Sequence, residues 1–128
     1  MIGDIINLIK GDGTVRGYVD TRVYPVHVAQ DVQLPAVTVT ITDNAPNHTK
    51  TATSSDDFVD LDVKVFARSA LECWNVSNAI RAVLDNYNGT AGTTTILACR
   101  FDGFNMSHYP PDDTYETTTE YTVHHRRS

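Results

Sequence analysis

An α+β domain is the fold class the sequence predicts, with a mainly four-stranded antiparallel sheet packed on two helices, and three patterns predict it. Ile2, Ile5, Ile6 and Ile9 recur at i, i+3, i+4 and i+7, the spacing of one helical face. Val37, Val39 and Ile41 alternate with threonines, and Val59, Leu61, Val63, Val65 and Ala67 alternate with Asp60, Asp62 and Lys64. A period of two marks a strand with one buried face. Between Ser69 and Tyr87 the residues Cys73, Val76, Ile80, Val83, Leu84 and Tyr87 return to a helical stripe.

The elements follow in the order α-β-β-β-α-β-β. The first helix ends at Lys10 and Gly11, a cation and then a glycine, as helix C-termini favour, and Gly11-Asp12-Gly13 reads as a turn. Val19 to Pro25 holds a short extended segment closed by proline. Pro35 suits the first residue of a strand, where no ladder donor is missed. The 37–42 and 59–67 runs pair antiparallel. Between them Asp43 to Asp57 is polar, rich in Thr and Ser and without periodicity, which predicts a long loop of functional use. Ser69 and Glu72 have capping-box spacing at the start of the main helix, and Asn88-Gly89 stops it. Thr93 to Tyr109 is extended with a bulge near Gly103, where the alternation slips by one. After a turn at His108–Asp113, Tyr115 to His125 forms the last strand, with Tyr115, Tyr121 and Val123 inward and Glu116, Glu120 and His124 outward.

At 128 residues, 41% hydrophobic and 20% charged, the chain suits a single folded domain, residues 1–128, with a core that needs no staples. The formal charge of −6 is poorly suited to holding nucleic acid through its phosphates. It suits a surface past which DNA slides, and equally plain solubility. Cys73 and Cys99 lack any C-x-x-C partner, so a zinc site is not expected. They read as buried thiols in a reducing compartment, with a bridge between them left open. No apolar run approaches the roughly 20 residues that span a bilayer, and the first ten residues do not resemble a signal peptide. The four Asn-x-Ser/Thr triplets are then chance matches.

Chemical motifs are sparse. His27, His48 and His108 fall in separate loops, and His124 and His125 point to opposite faces of one strand, so no metal ligand set forms. Asp60 and Asp62 share a row that Lys64 continues. A P-loop, G-x-G-x-x-G, G-x-S-x-G and an EF-hand loop are all missing. No catalytic, cofactor or metal residues are assigned, and the chain is not expected to be an enzyme. Phe58 and Phe66 lie on the outer row of their strand, which implies a second packed surface such as another subunit. Trp74 sits at the edge of its helical stripe and reads as core, or, if half exposed, as a subunit contact.

The order of Arg22-Val23-Tyr24-Pro25, Leu34-Pro35-Ala36-Val37, the strand Leu61–Ala67, the helix Ala79–Asp85 and Tyr121-Thr122-Val123 resembles the tail-completion, or tail-terminator, proteins that join tail to head in long-tailed bacteriophages. The resemblance runs from about Ile2 to His125. It implies a non-enzymatic virion protein of the tail and neck, assembled in the host cytoplasm. Such proteins form a ring, commonly a hexamer, that caps the tail tube and meets the head or neck while DNA passes the lumen unbound. A head-closure protein of the neck is the alternative. The tip residues Asn47, His48, Thr49 and Lys50 of the 44–55 loop are then expected to contact a neighbouring subunit, the tail-tube protein or a neck protein. Phe58, Phe66 and Trp74 are the candidate interface aromatics.

Overall fold

The isoleucine stripe at the N-terminus folds as its spacing predicts: α1 (Ile2–Lys10) buries Ile5, Ile6 and Ile9. In this computed structural model, which describes residues 2–26, 34–48, 53–109 and 114–126, a second helix follows at once. Gly11–Gly13 is not a simple turn. Asp12 is the N-cap of α2 (Gly13–Val19), its side chain accepting from the Val15 N–H at 3.0 Å. An N-cap carboxylate satisfies an orphan amide at a helix start. The expected strand from Val19 is therefore shorter, β1 (Val23–Pro25). Gly13 and Gly17 in α2 hid the helix from propensity reasoning.

The remaining elements are β2 (Ala36–His48), β3 (Thr53–Ala67), α3 (Ala70–Leu84), β4 (Gly89–Ala91), β5 (Thr94–Tyr109) and β6 (Thr114–Arg126). They give six strands in the order β1-β2-β3-β6-β5-β4 and three helices, in place of the expected four and two. The β2–β3, β3–β6, β5–β6 and β4–β5 ladders are antiparallel, and β1 joins β2 in parallel. Pro25 ends β1, and Pro35 stands one residue before β2. Ser69 caps α3 by accepting from the Glu72 N–H at 3.1 Å, and α3 stops at Leu84, three residues short of Tyr87.

The expected 43–57 loop is mostly ladder. Pairing of β2 with β3 runs from Ala36↔Phe66 to His48↔Thr53, through register shifts between Ile41 and Asp43 and between Pro46 and His48. Threonine-rich segments suit a pleated backbone even without alternation, so the hairpin continues beyond the core. The predicted slip near Gly103 is present as a register shift between Phe101 and Gly103, and a second lies between Ile96 and Ala98.

All three helices lie on one face of the sheet. That face supplies Val37, Val39, Val59, Leu61, Val63, Val65, Cys99, Tyr121 and Val123, each at most 3% exposed, to one core shared with Ile5, Ile9, Val15, Val19, Val76, Ile80 and Leu84. Cys73 and Cys99 are separate free thiols. Burial pushes them up to about 11 and about 12, so they stay protonated at neutral pH. Inside this face the Ser77 and Thr117 hydroxyls pair at 2.6 Å, which satisfies both at the α3–β6 contact.

Candidate functional site

Two surfaces of different chemistry lie on either side of that core. On the face without helices, alternation along β3, β6 and β5 sets Asp60, Asp62, Glu120 and Asp102 around a polar depression of about 470 Å³. Lys64 leaves this group, pairing across the sheet with Glu116 at 3.5 Å. Glu116, expected outward, is only 8% exposed. The Thr122 hydroxyl donates to Asp60 at 3.3 Å and also contacts the Asp102 carboxylate, while Arg100 approaches Asp102 at 2.8 Å. Partial burial alone raises the Asp102 carboxyl, but Thr122 and Arg100 together hold it below the ordinary carboxylate range. Among the described residues no three His, Cys, Asp or Glu side chains converge closely enough to hold a metal ion.

The second surface lies on the helix side, where α3 leaves the outer half of β5 uncovered. Trp74, 47% exposed, stands edge-on to Phe104 with centroids 5.3 Å apart. Leu71, one turn before Trp74, is 69% exposed, and Met106, two residues after Phe104, is 37% exposed. Beneath them a cavity of about 80 Å³ opens between Trp74, Ser77, Arg81, Phe101 and Phe104. The Arg81 guanidinium lies 3.8 Å over the Phe101 ring and meets Asp85 at 3.4 Å. Asp85 also accepts from the Phe101 N–H, tying the end of α3 to the upper part of β5. Monomers rarely leave an aromatic and aliphatic strip of this kind open without a partner for it.

The sequence-predicted residues scatter rather than converge. Trp74 is not core; it is the centre of the exposed strip. Phe58 is 38% exposed on the opposite face and stacks on His124 at 4.5 Å. Phe66 is half-buried at the other end of the same row. Asn47 and His48 belong to the end of β2, with Asn47 at a register shift, while Thr49 and Lys50 lie outside the described residues. Sequence reasoning missed Leu71, Phe104 and Met106. The signal for the last two was present: the slip at Gly103 moves Phe104 and Met106 onto the same face as Phe101.

The described surface thus carries a carboxylate-lined depression on one face of the sheet and an exposed aromatic strip on the other. The family model described as tail completion protein gp17 matches residues 3–125, and the chain belongs to that family. It is a structural virion protein of the bacteriophage tail. The fold is similar to that of a chain in the virion of a native gene transfer agent particle, with a TM-score of 0.83 and 12% identity over 98% of this chain and 94% of that one. Comparison with curated proteins finds no match. No described helix is long and apolar enough to cross a membrane.

Proposed function

We propose that the protein assembles into a ring, a hexamer by the family resemblance, that caps the finished tail tube and joins tail to head, with DNA passing through the lumen. Membership of the tail completion family over residues 3–125 carries this reading. The exposed Trp74, Phe104 and Met106, with Leu71 beside them, support it as subunit-contact groups, because interface centres are enriched in aromatic residues and methionine. The carboxylates of the outer face repel phosphate, which suits a wall that DNA passes without adhering. The role is architectural rather than catalytic, exercised in the virion after assembly in the host cytoplasm. Its partners are further copies of the chain, the tail-tube protein and a neck protein.

Light scattering and negative-stain imaging of the purified protein, alone and with tail tubes, test the reading. Rings at a tube end are the expected outcome, and a monomer at high concentration in both conditions overturns it. A head-closure role is the second reading; binding to isolated heads rather than to isolated tails would establish it instead. The β2–β3 hairpin end, with Asn47, His48, Thr49 and Lys50, is proposed as a contact with a neighbouring subunit or a tail or neck protein. Deleting residues 46–53 should abolish tail–head joining in vitro, and unchanged joining removes that role.

A further inference from the structure

Beyond Phe101 the outer side of β5 is an open edge. β4 pairs only with Thr94–Ile96, and the end of α3 occupies the next stretch. There the Asn86 N–H donates to the Cys99 carbonyl at 2.8 Å and the Phe101 N–H to the Asp85 carboxylate at 3.2 Å. Those two bonds fix the phase of the strand. Cys99 and Phe101 point their backbone groups away from β6, so Arg100 and Thr122 are a pair that bonds across the β5–β6 ladder. The ladder of β6 with β3 runs unbroken, so Glu120, Thr118 and Glu116 also bond toward β5, opposite Gly103, Asn105 and Ser107. Phe104 and Met106 therefore direct both N–H and C=O outward, where no described strand meets them.

The chemistry of this stretch suits a second copy of itself. Phe104, Asn105, Met106 and Ser107 are all exposed. None is charged and none is proline, the devices that commonly protect a strand edge. A neutral seam also lets two chains of formal charge −6 approach. Antiparallel pairing about a two-fold axis at Asn105 sets Phe104 opposite Met106 of the second copy, and Met106 opposite its Phe104. Both outward N–H groups and both outward carbonyls of each copy are then satisfied. A methionine sulfur beside an aromatic ring is a favourable contact. On the bare face Asn105 meets its own amide across the axis, where a charged residue would meet its like. On the helix side Trp74 and Leu71 flank the seam, so the two exposed strips close over each other.

We propose that the free protein is a two-fold dimer joined through the Phe104–Ser107 edge of β5, and that this dimer is its stored form. The pairing is isologous, the commonest symmetry among soluble oligomers. It makes one sheet of two, with every helix on the same side. The storage role rests on the ring reading above, because the strip that closes the dimer is the strip offered there as a subunit contact. A ring contact is heterologous, and one edge cannot serve both contacts at once. Pairing in the free protein therefore keeps subunits from closing into rings before a tail end is present.

Light scattering of the free protein and two cysteine variants test this. Asn105→Cys and Ser107→Cys each alter an exposed position, and the two native thiols are buried. Facing residues of a non-hydrogen-bonded antiparallel pair have Cα atoms about 4.5 Å apart, within reach of a disulfide. Under mild oxidation Asn105→Cys should link to itself, and Ser107→Cys, which would face Gly103, should not. Met106→Asp should be a monomer with the parent's circular dichroism. Emission of the protein's single tryptophan, Trp74, should shift to the red as dilution splits the dimer, and should start there in Met106→Asp. The linked Asn105→Cys dimer should fail to cap tail tubes until it is reduced. A monomeric free protein, or linking by Ser107→Cys in place of Asn105→Cys, overturns the dimer, and rings at tube ends would then leave the ring reading standing. A monomer whose Trp74 shifts only when tail tubes are added gives the edge to the tail and overturns the dimer too. Capping by the linked dimer overturns the storage role. Reduced dimers that give no rings at tube ends overturn the ring reading and the storage role with it, and uphold the contact.

Discussion

The two faces of the sheet follow one alternation and have opposite fates. On the helix side Val63, Leu61, Tyr121 and Val123 are at most 1% exposed. One residue along each strand, Asp62, Asp60, Glu120 and Thr122 line an open depression. Between bulges a side chain's face is set by parity, so each strand places core residues and outward polar residues alternately. Truncations on the covered face should therefore cost more folding stability than substitutions on the bare face. The strip at Trp74 breaks the rule in an informative way, being on the helix side yet uncovered.

The sharpest test of that division is a truncation on the covered face. Leu61→Ala or Ile80→Ala should destabilise by about 2–5 kcal/mol, since each leaves a cavity in the core that its surroundings fill only in part; urea unfolding monitored by circular dichroism measures it. A smaller loss, about 1–3 kcal/mol, is expected for Ser77→Ala in the same titration, because the Thr117 hydroxyl loses its partner at a buried site. Ser69→Ala removes the α3 cap and should cost about 1 kcal/mol. If the Leu61, Ile80 and Ser77 truncations all proved neutral, the covered face would not be the seat of stability.

On the bare face acid should act through Asp102. Its folded carboxyl lies below its ordinary value, so its contribution is full above about pH 4, the unfolded value, and is lost as pH falls through the lower folded value. Asp4 shifts the same way, held down chiefly by the Thr94 hydroxyl at 2.5 Å with Thr93 as a second donor. Unfolding midpoints compared at pH 7 and pH 3 should show the loss, and a variant carrying both Asp102→Asn and Asp4→Asn should show less of it. The smallest effect belongs to Asp60→Asn with Asp62→Asn, expected within about 0.5 kcal/mol of the parent. A large loss there would mean that the outer face is structural after all.

Much of this was readable in residues. The isoleucines of α1, the alternation of β2, β3 and β6, the Ser69 cap and the slip before Phe104 are local patterns with local causes. The 44–56 stretch was not readable, because its pairing comes from two segments that alternate poorly and strengthen each other only once adjacent. Gly92 shows the same limit at a single position. It has φ +59°, and a Cβ there would collide with the Asp4 carboxylate, a residue 88 positions earlier in the chain.

What the sequence determined by itself was the class of fold, most of the core face and the family, since periodicity and ordered spacing are properties of the chain. Only the tertiary structure decided that Trp74 lies open beside Phe104 and that four carboxylates share one depression. Each of those depends on which strands become neighbours and at what register, and that choice is made by packing the whole sheet against its helices.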